Sequence, residues 1–265
     1  MPKVATWNVN SVKARLPHLL RWLKEATPDV VLLQEIKVQT GDFPALEIEE
    51  LGYNIAAVGQ KSYNGVAILS KRRIEVEQEA LPGDDADSQA RYLEAVVGTL
   101  RVATIYLPNG NPAPGEKFDY KLAWMRRLVE YGRELLLGDM PVVLGGDFNV
   151  CPTDADVYDP EAWRADALCR PESRALFREL VYLGFTEAWR ALHPDAENAY
   201  TSWDYQAGAW DRDAGLRIDH LLLSPQAADM LEAADIDKGP RGGDKPSDHT
   251  PVWCTLAEPG RAGAT

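Results

Sequence analysis

The sequence predicts an α/β (α+β) fold of two mixed, mainly antiparallel sheets packed face to face, with helices outside. Three observations carry this expectation. The chain runs strand, helix, strand and then meander, and it does so twice. Its best-marked strands, Val30–Leu33 and Val142–Leu144, are unbroken apolar runs, as strands covered on both faces require. An amphipathic helix pattern precedes each of them, so each has a layer to pack beneath.

The chain has 265 residues and 45% hydrophobic content, enough for one large core or two small ones. No Pro-, Gly- or Ser-rich linker divides it and no fixed-period repeat is visible, so one domain over residues 1–258 is expected, with 259–265 as a flexible tail. The start has no apolar signal core, and no apolar run approaches the roughly 18 residues of a membrane helix. Cys151, Cys169 and Cys254 are scattered and form no CxxC, which argues against a zinc cluster or disulfide framework and fits a reducing cytoplasm. With 28 Lys and Arg against 41 Asp and Glu, the net charge is −13. That argues against a general polyanion-binding surface, though not against a basic rim around an acidic site.

Taken in order, Val4–Val9 is a short strand ending in Asn8 and Asn10, and Ser11 caps the following helix. Leu16, Leu19, Leu20 and Leu23 give that helix its apolar stripe, Pro17 is placed in its first turn, and Pro28 ends it. Val30–Gln34 is a strand with Glu35 at its end. Asp42–Leu51 reads as a short helix. Tyr53–Val58, Gly65–Ser70, Ile74–Ala80, Arg91–Val97 and Arg101–Leu107 read as strands joined by short turns, hence as meanders. Glu116–Leu137 is the longest helix. Val142–Leu144 runs into Gly145 and Gly146, where missing side chains let backbone or ligand approach closely. Asp147 and Asn149 follow at i and i+2, on one face of an extended segment, with Phe148 turned to the core. A helix near Glu172–Leu183, a strand over Leu216–Leu223 with Asp219 embedded, and a last strand Val252–Leu256 complete the pattern.

Polar groups thus gather at strand ends: Asn8, Glu35, Tyr106, Asp147 with Asn149, and Asp248 with His249, while Asp219 lies within a further strand. Strand ends are where α/β sheets bind ligands. Each residue alone has an ordinary explanation: a turn asparagine, a solvated glutamate, a core tyrosine, an Asp219–Arg217 ion pair, a structural histidine. Their joint occurrence in this order does not.

The series Trp7-Asn8-Val9-Asn10, Leu33-Gln34-Glu35, Tyr106-Leu107-Pro108-Asn109-Gly110, Gly146-Asp147-Phe148-Asn149, Arg217-Ile218-Asp219 and Ser247-Asp248-His249 resembles the exonuclease III family of the endonuclease/exonuclease/phosphatase superfamily, from about Val4 to Leu256. The resemblance implies a four-layer αββα sandwich and Mg²⁺-dependent phosphodiester hydrolysis, with Mn²⁺ able to substitute. The implied substrate is double-stranded DNA, cut 5′ to abasic sites or trimmed from 3′ ends by a monomer. By the same resemblance Glu35 is the principal metal ligand, with Asn8 and Asp248 nearby and Asp147, Asn149 and His249 completing the candidate set. Such residues suit the chemistry, because a hard cation prefers carboxylate oxygen. Asp147 would position and deprotonate the attacking water, Asn149 orient Asp147 or hold a phosphate oxygen, Tyr106 sit near the scissile phosphate or leaving oxygen, and His249 stabilise developing charge with Asp219 fixing its tautomer. Asn109 would touch phosphate. Arg91, Lys121 and Arg217 are candidates for contacts to the DNA backbone.

One departure matters. Where relatives carry an aromatic walling the abasic-sugar pocket, this chain has Ser202, so either Trp203 or Trp210 replaces it beside Leu216 and Ile218, or both tryptophans are core residues and selectivity for the abasic sugar is weak. Trp210 is the expected wall. Two other function classes stay open at this point: a superfamily phosphoesterase acting on a lipid or small molecule, and a binding module that kept the scaffold.

Overall fold

The computed structural model describes residues 1–257; the tail expected over 259–265 lies outside them. In chain order the elements are β1 (Lys3–Asn8), α1 (Val12–Ala26), β2 (Val30–Gln34), α2 (Ala45–Glu49), β3 (Asn54–Val58), β4 (Val66–Ser70), β5 (Ile74–Gln78), β6 (Tyr92–Val97), β7 (Leu100–Tyr106) and α3 (Glu116–Leu135). They continue with β8 (Val142–Asp147), α4 (Pro160–Trp163), α5 (Pro171–Tyr182), β9 (Thr186–Glu187), α6 (Ala188–Leu192), β10 (Asp219–Leu223), α7 (Pro225–Ala228), β11 (Leu231–Ile236) and β12 (Val252–Leu256).

Two six-stranded sheets form, in the orders β11-β12-β1-β2-β4-β3 and β5-β6-β7-β8-β10-β9. Each contains one parallel pair, β1 with β2 and β7 with β8. A parallel neighbour needs a crossover, which α1 and α3 supply. The facing sheets bury Val4, Leu32, Ile68, Val102, Val143 and Leu221 between them. Trp7, Leu19, Trp22 and Val31 seal α1 outside the first sheet. Trp124, Leu128, Phe148 and Phe177 seal α3 and α5 outside the second. The predicted sandwich of four layers is therefore the observed one. Among the described residues, no helix is long and apolar enough to cross a membrane.

Gly145 marks where the sheets press closest. A Cβ there would lie 2.6 Å from both Leu32 and Leu221. At Gly146 it would run into the Ile105 backbone on the neighbouring strand.

Some local expectations need correction. The predicted meander divides: β3 and β4 belong to one sheet, β5 to β7 to the other. Periodicity cannot report this, because a strand pattern names no partner. The helix expected over Asp42–Leu51 shortens to α2 behind a 3₁₀ turn at Thr40–Asp42. Pro17 stands in the second turn of α1, not its first. Strand β10 starts at Asp219, so that residue heads the strand; Leu216 before it makes only isolated bridges to Val157 and Ser202.

Candidate active site

Strand pairing brings the site together. Asn8 lies opposite Gln34 in the β1–β2 pair, which sets Glu35 one step beyond. Tyr106 lies opposite Asp147, and Asp147 opposite Asp219. His249 bridges to Ser202 just before β12. All these positions fall at one end of the two sheets, and they open into a cleft of about 540 Å³ that Glu35, Tyr106, Asp147, Asn149, Asp248 and His249 help to line.

Asp147 is buried at the centre. Its Oδ1 accepts from the Asn149 backbone N–H at 2.9 Å and its Oδ2 from Asn8 Nδ2 at 3.0 Å. Burial, with Asp219 adding to it, raises its pKa to about 7 although His249 and these hydrogen bonds pull the other way. His249 sits between two carboxylates. Its Nδ1 is 2.8 Å from Asp219 Oδ2 and its Nε2 is 3.8 Å from Asp147 Oδ2. Burial opposes its charged form, yet the Asp219 and Asp147 carboxylates outweigh that and hold its pKa well above the usual histidine range. Thr201 Oγ1 also donates to Asp219 Oδ2, at 2.6 Å, which fixes the carboxylate's rotamer.

Glu35 is linked to Asp147 through Asn8, whose Nδ2 donates to both. Asn8 Nδ2 donates to Glu35 at 3.0 Å and Lys37 Nζ stands 2.7 Å from that carboxylate. Burial opposes its ionised form, but these partners hold its carboxyl below the ordinary range. Asp248 is likewise held low against burial, by His249 and by Asn10 Nδ2, which donates at 2.8 Å. Burial and the nearby Glu35 and Asp147 push the Tyr106 phenol well above its usual value, so it stays protonated beside them. Glu35 and Asn149 both adopt left-handed backbone, φ 50° and 47°, conformations that non-glycine residues hold only when neighbours fix them.

Glu35 and Asp248 offer carboxylate oxygens suited to a hard divalent cation, while Asn8 turns its Nδ2 toward Glu35 and Asp147 and its Oδ1 toward the Asn10 N–H. Asp147, Asp219 and His249 also place ligand atoms within 4.8 Å of one another. In that second group the imidazole is committed to carboxylates on both sides, so it suits proton and charge work better than coordination. The donors nearest Glu35 are the better fit to a metal.

Asn109 reaches the site, donating through Nδ2 to Asn149 Oδ1 at 3.1 Å. Arg91 stays at the rim, its guanidinium 4.8 Å from the Tyr106 ring centre. Of the other predicted DNA contacts, Lys121, Arg217 and Trp203 are buried and Trp210 is half-buried. Lys121 is fully buried and donates to the carbonyls of Asn149, at 2.6 Å, and Asn109, at 3.1 Å. It braces two site asparagines, and burial lowers its pKa to about 7. Arg217 is 2% exposed and binds Asp156 at 2.7 Å and Glu187 at 3.2 Å, not Asp219 and not a phosphate. Trp203 is a core residue whose indole N–H donates to Asp213. Trp210 packs edge-on against Trp203, 4.8 Å between ring centres, and does not line the cleft. The cleft's tryptophan is Trp163, with Tyr158 beside it. Sequence reasoning missed both, along with Lys37, Asn111 and Asp166, and gave Asn10 no role in the site. Only the Asn109–Asn111 spacing in the turn after β7 hinted at one of them.

Two stacked mixed sheets, with carboxylates and one imidazole converging at a shared end, define an αββα sandwich built for acid–base chemistry in an open cleft. Residues 5–249 match the endonuclease/exonuclease/phosphatase family, and the chain belongs to that family, in its exonuclease III branch. It is 34% identical over 262 residues to exodeoxyribonuclease III of Haemophilus influenzae, covering 95% of this chain and 98% of that one. A 3′ phosphatase from Neisseria bound to a product DNA hairpin superposes with a TM-score of 0.94 at 39% identity, over 97% of this chain and 100% of its own. An AP endonuclease from Archaeoglobus fulgidus gives 0.92 at 35% identity, over 97% and 99%.

Proposed function

We propose that this chain is a divalent-metal-dependent DNA nuclease that hydrolyses phosphodiester bonds, working from 3′ ends or 5′ to abasic sites. The observation that carries the reading is the row Asp219–His249–Asp147, joined to Glu35 through Asn8 Nδ2, which donates to both Asp147 and Glu35. Supporting it, the relatives just described bear the names of DNA-directed phosphoesterases. The reading includes one domain over residues 1–258, acting as a cytoplasmic monomer; the inter-sheet core supports the single domain, and three buried free cysteines fit a reducing compartment.

Glu35, with Asp248, is the place for Mg²⁺ or Mn²⁺, and Asn8 orients the Glu35 carboxylate through Nδ2. When bound, such an ion neutralises phosphate charge and polarises the scissile bond. Asp147, with its pKa near 7, takes the proton from the attacking water, since a base works best when poised near the operating pH. The imidazolium of His249 offers its Nε2–H to a phosphate oxygen as charge builds, and Asp219 keeps the other proton on Nδ1. Tyr106, held protonated, can donate to the same group. Asn109 and Asn149 add donors without adding negative charge.

The test is a 5′-labelled duplex with one internal abasic analogue, incubated with Mg²⁺ and, separately, with EDTA. A nick 5′ to the analogue or a ladder of 3′ shortening, both absent in EDTA, is expected. An intact duplex in Mg²⁺, with hydrolysis of a small phosphate ester instead, would move the chain to the superfamily's non-nucleic-acid branches.

A further inference from the structure

The cleft beside Asp147 is larger than a phosphodiester alone requires. At about 540 Å³ it falls in the ~300–1,000 Å³ range of pockets that enclose a small ligand. One wall is apolar, made by Leu168, Leu216 and Ile218, and Trp163 packs onto the same cluster. Tyr158 meets the Trp163 ring edge-on at 6.3 Å. At position 202 the lining side chain is a serine, so no bulky group from that segment narrows the space.

Asp166 also lines the cleft, and it is held firmly. Asn111 Nδ2 donates to both its oxygens at 3.1 Å, and the Leu168 N–H donates to Oδ1 at 2.9 Å. Asn111 Nδ2 also donates to Asn109 Oδ1 at 3.0 Å, Asn109 Nδ2 to Asn149 Oδ1 at 3.1 Å, and the Asn149 N–H to Asp147 Oδ1 at 2.9 Å. A relay of amides therefore fixes the pocket carboxylate relative to Asp147. A carboxylate in that place accepts from hydroxyls and amines and repels phosphate. An indole in a nucleic-acid cleft stacks on any base, because every base has a π-face.

We propose that this cleft receives the 3′-terminal nucleoside of a DNA strand, with its base on Trp163 and a hydroxyl or amino donor on Asp166, in preference to an internal base-less sugar. The proposal deepens the nuclease reading and rests on it. A terminal nucleoside brings a base to stack and a free 3′ hydroxyl to donate. An internal abasic sugar brings no base and carries a second phosphate on its 3′ side. Asp166 opposes that phosphate, and so does Asp204. Among the described residues, Arg212 is the only lysine or arginine lining the cleft. Unstacking is least costly where the base is already unpaired, as at a frayed end.

The test reads binding and cleavage separately. In EDTA, one duplex carries 2-aminopurine at its 3′ end and a matched duplex ends in a base-less tetrahydrofuran residue. The wild type is expected to quench the 2-aminopurine and to bind that end roughly tenfold tighter, within the range one base–aromatic stack is worth. Trp163→Ala removes both the quenching and the preference, whereas Trp163→Phe retains most of each. In Mg²⁺, Asp166→Asn raises incision at an internal abasic analogue relative to terminal nucleotide removal by about fivefold, the weight of one like-charge contact in water, and does so through KM. Equal binding of the two ends by the wild type, undiminished quenching in Trp163→Ala, or an unchanged ratio in Asp166→Asn overturns the proposal. Cleavage of neither duplex, with the quenching preference intact, removes the nuclease reading and leaves the nucleoside pocket standing.

Discussion

His249 Nδ1 lies 2.8 Å from Asp219 Oδ2, and this pairing decides which imidazole nitrogen faces the cleft. A carboxylate only accepts, so Nδ1 carries the proton and Nε2 is left for Asp147 and substrate. The two residues then act as one device. His249→Ala and Asp219→Ala should each cut kcat/KM by about 10²–10⁴-fold, the usual weight of a positioned proton donor. The double variant should lose little more than the worse single one, because members of a shared network are not additive. A double loss equal to the product of the two single losses would show that they work independently.

The same row sets the pH profile. Asp147 must be ionised to act as a base, and its pKa is raised to about 7, so activity should climb as pH rises through that value. His249 must be protonated, and its pKa is raised well above the ordinary range, so activity should fall only at distinctly alkaline pH. Asp219 raises both groups. Asp219→Asn should therefore move both limbs of a kcat/KM profile to lower pH, as residual activity allows. Limbs that stay in place would mean Asp219 does not tune these groups.

Removing the metal ligand should separate chemistry from folding. Glu35→Gln keeps the shape of a side chain that Asn8 and Lys37 hold but deletes its charge. Mn²⁺ binding by calorimetry should weaken at least about tenfold, the order by which mutations around a metal site lower affinity. The unfolding midpoint should barely move. Unchanged Mn²⁺ affinity would place the ion elsewhere, and wild-type activity persisting in EDTA would end the metal-dependent reading.

How far the sequence foretold this site follows from what each residue answers to. Asp147 and Glu35 were legible because they close apolar runs and Asp219 because it stands before one, and sheet pairing then forces strand ends together. The sandwich was legible for the same reason, since Val30–Leu33 and Val142–Leu144 had to be covered on both faces. The positions of Trp163, Asp166 and Asn111 were not, because they sit on connections whose path depends on tertiary hydrogen bonds. Trp203 and Trp210 were misplaced because an indole after a polar stretch looks the same whether it faces a pocket or fills a small core under a loop. Lys121 and Arg217 misled in a related way. Nothing local says that Asp156 and Glu187, or two backbone carbonyls, wait to receive them.

Arg217 offers the sharpest check on that correction. It is 2% exposed and donates to Asp156, itself 0% exposed, and stands 3.2 Å from the buried Glu187. Removing one partner of such a group strands the others, at a cost of about 3–5 kcal/mol. Arg217→Met should therefore lower unfolding free energy by that order. It should also change the acid limb of stability. Although burial opposes their ionised forms, Arg217 helps hold Asp156 and Glu187 at about 2, below their reference values of 3.8 and 4.5. The stability these depressed carboxylates contribute is present above about pH 4.5 and is lost as pH falls toward 2. The variant should lose much of that dependence. Its DNA affinity, by contrast, should fall with salt along the same slope as the wild type. Each neutralised phosphate adds about −0.9 to the slope of log K against log salt, so a variant slope shallower by that amount would return Arg217 to the DNA interface.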